Sequence, residues 1–323
     1  MSISTKIQWC DSTCNPTMGC EGCELWTRTV KKCYAGTLHV RFGGVSSGYA
    51  ESFEEVALFP GRMEAAARWA DLTGSNRSEK PWLDGYPRLI FVSDMSDSLS
   101  STVDFEYLES EVIHNVTSDL GSRHHWLWLT KRPDRMAKFS HWLADNDRQW
   151  PSNLWAGTSI TSQKTTSRIK NLLRGGNEST IRFLSVEPQY EPIDLSPWLA
   201  ELDWIIQGGE SGNRANEFDI SWAQSLIEEC RTHRVPYFLK QSGAVVKSNG
   251  KGLAFDDGHA GDWSEWPKQI QVRQLPRLTS SHTNEKGVLV SKKQPANGSE
   301  ERRQAALKAW RTRRAKAAAV EQG

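Results

Sequence analysis

Six short apolar, β-branched or aromatic runs punctuate the middle of the chain, and each stops abruptly at polar residues. Arg88–Ser93 runs into Asp94-Met-Ser-Asp97, His125–Thr130 into Lys131-Arg132-Pro133, and Leu154–Thr158 into Ser159. Ile181–Val186 runs into Glu187-Pro188, Asp203–Gln207 into Gly208-Gly209-Glu210, and Pro236–Lys240 into Gln241. Runs of this kind read as buried strands. Between them lies helical material: Leu108, Val112, Val116 and Leu120 recur near helical spacing, and Trp222, Leu226, Ile227 and Cys230 share one face. Strands alternating with helices indicate βα units and a parallel sheet. With a first strand expected at Thr5–Trp9, the fold class is α/β, a full or partial parallel βα barrel. A doubly wound open sheet is the alternative. In both architectures the working site lies at the C-terminal strand ends, where the polar residues cluster here.

Residues 1–245 are expected to form this barrel, with an insertion or lid at 43–79 that holds a helix-like stretch, Pro60–Leu72. Residues 246–278 read as a C-terminal extension, 279–300 as a polar linker, and 301–323 as a basic tail of helical composition. The formal charge of +1 conceals a body, residues 1–299, of −3 and a final segment of +4. Mean hydropathy is −0.59, and no run approaches the ~18 apolar residues of a membrane helix. Met1–Trp9 lacks the apolar centre of a secretory signal, so a cytoplasmic location is expected. Trp126, Trp128, Trp155 and Trp204 lie within strand runs and are assigned to the core. Trp82, Trp263, Trp266 and Trp310 lie in polar surroundings, where packing and base stacking both remain open.

Five of the six cysteines, Cys10, Cys14, Cys20, Cys23 and Cys33, fall in the first 33 residues. In a reducing compartment such crowding points to metal or redox chemistry rather than disulfides. Thiolates at this spacing hold zinc or an iron–sulfur cluster. A structural zinc knot using four of the five, or reduced buried thiols without metal, are the plainer readings.

The order of motifs is specific. Thr5-Lys-Ile-Gln-Trp9, Asn15-Pro16, Gly19-Cys20, Cys23-Glu-Leu-Trp26 and Cys33-Tyr-Ala-Gly36 open it. Phe91–Asp97, Leu129–Pro133, Phe183–Pro188, Gly208–Gly212 and Lys240-Gln241 continue it. This pattern resembles a phage-associated family of radical-SAM-like proteins with a three-cysteine motif, of the thymidine-hypermodification isomerase type. In many relatives two residues separate the last two cysteines; here nine lie between Cys23 and Cys33. The resemblance implies a barrel of the radical-SAM type, with Cys20, Cys23 and Cys33 ligating a 4Fe–4S cluster and Cys10 and Cys14 as buried bystanders. Three thiolates leave one iron open. In the chemistry the resemblance implies, S-adenosyl-L-methionine (SAM) would chelate that iron, and an electron from a host reductant protein would release a 5′-deoxyadenosyl radical.

The strand ends then receive expected roles. Asp94, Asp97, Ser159, Gly208, Gly209 and Glu210 are expected to bind the cofactor, with helix capping an equal reading for Asp97. Glu187 and Lys131 are expected to be catalytic. Lys131-Arg132 suits a carboxylate or phosphate, against a plain basic turn before a helix starting at Pro133. Lys240 is either a substrate contact or a surface lysine. The implied function is a phage isomerase that rearranges a glycinyl-modified thymidine in DNA and protects viral DNA from restriction. The alternatives are a zinc-binding nucleic-acid or protein interaction module without catalysis, and a radical enzyme acting on RNA or peptide. No membrane partner is expected.

Overall fold

A computed structural model of the chain describes residues 1–43, 48–212 and 215–278. The chain divides after Arg277, and only Leu278 of the second part is described. The linker at 279–300 and the basic tail at 301–323, with Trp310, lie outside the described residues.

Seven parallel strands form the main sheet. They are β1 (Ser12–Cys14), β2 (Leu89–Val92), β3 (His125–Thr130), β4 (Leu154–Ile160), β5 (Arg182–Val186), β6 (Trp204–Gly208) and β7 (Tyr237–Gln241). Each pairs with its predecessor in chain order. A doubly wound sheet reverses its strand order partway, so the unbroken order selects barrel-type winding. The result is a mixed α/β fold with a seven-stranded parallel half-barrel.

Alternation along the strands divides two layers. Ile90, Trp126, Trp128, Ala156, Leu184, Ile205 and Leu239 join the core shared with the helices. Phe91, Leu127, Trp155, Phe183, Trp204 and Phe238, one register position away, face the concave side. Trp9 fills that concavity. Its ring lies 4.6 Å from Phe91 on β2, 6.4 Å from Phe183 on β5 and 6.3 Å from Trp204 on β6. One indole reaches strands that far apart because the sheet curls around it. Gly157 makes room for this layer: a Cβ there would sit 2.2 Å from the Phe183 ring. The four strand tryptophans are fully buried, as their sequence setting implies.

The first strand is not where its sequence signal lies. Thr5–Trp9 forms bends and turns, and Ser12-Thr13-Cys14 pairs with β2 instead. Trp9 supplied the strand-like signal but serves as a plug. The 43–79 region contributes to the core where it is described. Its helix, Arg62–Ala67, is shorter than the expected Pro60–Leu72 and packs Met63, Ala66 and Ala67 into the helix–sheet core. Buried Glu111 fixes where that helix begins, accepting from the backbone N–H of Gly61 and of Met63 at 2.9 Å each. Glu111 comes from helical chain at 105–117 that carries a π turn over Glu109–Ile113. Pro133 opens the helix Pro133–Asp145 at its first position.

The C-terminal extension builds the wall beyond β7. Leu239 N–H donates to Val272 O at 2.9 Å, and Gln274 N–H to Tyr237 O at 2.8 Å. Between them Arg273 donates to Leu239 O (3.1 Å), Lys240 O (3.0 Å) and Gln8 Oε1 (3.4 Å), with its guanidinium 4.2 Å from the Trp82 ring and 5.0 Å from Trp266. Lys80 Nζ donates to the carbonyls of Thr5, Ile7 and Cys10, each at 2.7 Å. Buried Arg273 thus ties the extension to the chain that leads into β1, and Lys80 gathers that same leading segment. No helix among the described residues is long and apolar enough to cross a membrane.

Candidate active site

Above the aromatic floor, the concave side turns polar at the strand ends. Ser159 lies two residues beyond Gly157 on the same face of β4. Lys131, just past β3, donates to Ser159 Oγ at 2.8 Å, and Ser159 Oγ donates to Glu187 O at 3.2 Å. Lys240 on β7 donates to Glu187 Oε1, and the two side chains are 21% and 16% exposed. Four expected or weighed residues, two on β4 and β7 and two just past β3 and β5, therefore meet in one half-open mouth. Gly208 lies alongside, where an added Cβ would stand 3.3 Å from Glu187 Cδ. At Gly209 a Cβ would fall 2.2 Å from Ser242 O, so only glycine permits that backbone approach.

Asp94 follows Ser93, a non-glycine residue at φ 72. This left-handed turn is a local cost found where a side chain must be aimed. The Asp94 carboxylate accepts from the Asn15 amide and, at 3.4 Å, from the Tyr34 hydroxyl, while Asn15 Oδ1 accepts from Met95 N–H at 2.9 Å. Burial pushes its carboxyl up, against the bond from Asn15. Asp97 is spent differently. Its oxygens accept from Thr130 Oγ1 at 2.8 and 2.9 Å, Lys131 N–H at 3.0 Å and Leu99 N–H at 3.1 Å. It clasps the turn that presents Lys131.

The cysteine loop lies across this mouth, strapped by ion pairs that no sequence pattern announces. Glu21 pairs with Arg132 (3.1 Å), and Lys32 with Glu210 (3.5 Å). Glu24 accepts a two-pronged contact from Arg168, at 2.9 and 2.7 Å. Glu210 also accepts from Tyr190 (3.2 Å) and from Asn216 N–H (2.7 Å). Burial opposes the charge on Glu24, but the Arg168 bonds and nearby Lys131 outweigh it and hold the carboxyl down at about 2.

The nine residues between Cys23 and Cys33 are folded away as a pinched hairpin. Trp26 pairs with Cys23 on one side and with Lys31 on the other, and Thr27 N–H donates to Val30 O at 2.8 Å across the tip. Leu25 joins the two cysteines: its N–H donates to Cys23 Sγ at 3.4 Å, and its carbonyl accepts from Cys33 N–H at 2.9 Å. Long spacing in sequence becomes short spacing in space.

Cys20, Cys23 and Cys33 are half-buried, whereas Cys10 and Cys14 are fully buried. Burial, then neighbouring Asp97, pushes the Cys20 thiol up to about 12, with Arg132 opposing. Burial also raises Cys23, which Lys131 opposes and Cys33 reinforces. Among the described residues no three His, Cys, Asp or Glu side chains are gathered as a metal-holding group. In kind and number the donors fit an iron–sulfur cluster: three soft, partly accessible thiols on one loop.

No curated protein and no solved structure matches the chain. A family profile described as "Protein of unknown function (DUF5131)" matches residues 4–314. That span takes in the half-barrel, the cysteine loop and every residue of the mouth, and the chain belongs to the DUF5131 family.

Proposed function

We propose that the chain is a radical-SAM iron–sulfur enzyme of the partial-barrel type. Its proposed role is that of a phage isomerase in the host cytoplasm, served by a host reductant protein. The proposed substrate is a glycinyl-modified thymidine of DNA, rearranged during hypermodification. One observation carries the reading: three half-buried thiols sit on a loop strapped over the polar mouth of a half-barrel.

Cys20, Cys23 and Cys33 would hold the cluster. When bound, the cluster and SAM would supply one-electron cleavage of a sulfonium and, through it, hydrogen abstraction from an unactivated carbon. The chain's own residues do the rest. Asp94, held by Asn15 and Tyr34 beside the Cys33 loop, presents a carboxylate to an amino or hydroxyl group. Glu187 and Lys240 form a charged pair in the mouth, and Lys131 adds a second cation beside Ser159, so both signs of charge are at hand to orient a polar substrate group. The layer of Trp9, Phe91, Phe183 and Trp204 seals the floor against water. The Gly209 turn brings backbone close to any bound group.

The test is turnover. Anaerobically purified protein, given reductant and SAM, is expected to release 5′-deoxyadenosine. Colourless protein carrying one tightly bound zinc and releasing none would overturn the reading in favour of a zinc-held interaction module.

A further inference from the structure

We propose that the rim formed by the Cys23–Cys33 hairpin and the helix α1 (Tyr34–Phe42) is a docking surface for single-stranded nucleic acid. This rests on the nucleic-acid reading above and places the strand on the protein. From Leu25 to Ala50 the chain carries Arg28, Lys31, Lys32 and Arg41 and not one Asp or Glu, although residues 1–299 sum to −3. Arg28 stands exposed at the hairpin tip. Helix α1 buries Ala35, Gly36 and His39 and turns Tyr34, Thr37, Val40 and Arg41 outward at i, i+3, i+6 and i+7. Tyr34 is 55% exposed, Val40 74% and Phe42 41%. The Arg41 guanidinium lies 5.2 Å from the Phe42 ring.

This stripe has a direction. It starts at the mouth, where the Tyr34 hydroxyl donates to Asp94, and runs outward along the helix for roughly 13 Å. Lys31 and Lys32 are partly committed to Glu54 and Glu210, which leaves Arg28 and Arg41 for phosphates. Exposed aromatic faces among unopposed cations match a backbone-plus-stacking surface for unpaired bases. Chemistry on a base needs that base out of the stack, so a single strand suits a surface leading into a half-open mouth. An acidic protein face would use the cations but would leave Phe42 without a role.

The experiment is fluorescence anisotropy on the full chain, without cofactor or reductant. The probes are a 20-nucleotide oligothymidylate, a duplex of equal length, and polyglutamate. The single strand is expected to bind tightest. The double variant Arg28→Glu/Arg41→Glu is expected to weaken it at least tenfold and to lower the salt slope by about 1.4, or ~0.7 per lost phosphate. Phe42→Ala, which keeps the charge, is expected to weaken it about fivefold or more at unchanged slope. Thermal melts of each variant establish that it is folded. Unchanged binding in both variants would overturn the proposal, because the basic tail would then account for affinity. So would equal binding of duplex or polyglutamate that is lost in the same variants. Loss of oligothymidylate binding in a charge-reversed protein that still releases 5′-deoxyadenosine would support the rim. Normal binding by a protein that cleaves no SAM would overturn the enzyme reading and leave the rim standing.

Discussion

Single residues at the strand ends do two kinds of work. Glu187, Lys131, Lys240 and Asp94 face a shared opening, while Asp97 and Glu210 spend their oxygens on the chain itself. The strand-end position of all six is plain in the sequence, because apolar runs stop at them. Which of them faces inward is not, since that depends on partners up to 178 residues away, as with Lys32 and Glu210. The Glu24–Arg168 pair is illegible for the same reason, its members standing 144 positions apart. Its electrostatics set a test. Glu24 is depressed from 4.5 to about 2 in the folded chain, so the pair contributes stability above the unfolded value and loses it as pH falls through the folded one. Arg168→Met is therefore expected to lower the unfolding midpoint near pH 7, and the deficit is expected to vanish as pH falls from about 4.5 to about 2. A deficit that persists unchanged at pH 2 would place the effect in packing instead. Both side chains are partly exposed, so the effect at neutral pH is modest.

Among the elements, the six central strands were legible because both their faces are buried and their apolar runs are continuous. The first was not: Ser12-Thr13-Cys14 has no apolar run, and Trp9, three residues earlier, draws the eye. The cysteine loop is the other element the sequence leaves obscure. Its nine-residue gap reads as a departure from the three-cysteine pattern, whereas backbone pairing closes it into a hairpin that returns Cys33 to Leu25. Replacing the exposed tip Thr27-Arg28-Thr29-Val30 by Asn-Gly suits a two-residue hairpin turn. The shortened protein is expected to keep the wild-type melting temperature and metal content. Loss of metal with an intact fold would mean that the tip itself positions the thiols.

At the scale of the molecule, side chains among the described residues link the β7 edge of the half-barrel to the segment that leads into β1. Arg273 reaches from beside β7 to Gln8, and Lys80 gathers three carbonyls of the same leading segment. Arg273→Met would leave the carbonyls of Leu239, Lys240 and Gly261 short of a donor. The bond to Leu239 O is the buried one, so the loss is expected to be about 1–3 kcal/mol, the cost of one buried acceptor left unmet. Hydrogen exchange is expected to rise together at β7 and at residues 5–10, while β3 and β4 stay protected. A rise confined to β7 would show that the two edges are not coupled through this residue. Composition hides this closure, because Arg273, Trp82, Trp263 and Trp266 read in sequence as scattered polar-region residues and only the fold brings them together.

Three particular thiols on the strapped loop, Cys20, Cys23 and Cys33, are the proposed ligands of an iron–sulfur cluster. Iron, sulfide and visible absorption of anaerobically reconstituted protein test this assignment most directly, read across the single cysteine-to-alanine series. Cys20→Ala, Cys23→Ala and Cys33→Ala are each expected to abolish the broad absorption at the visible–ultraviolet border, while Cys10→Ala and Cys14→Ala spare it. Bleaching by Cys10→Ala in a folded protein, or bound zinc with no iron in the wild type, would contradict the account.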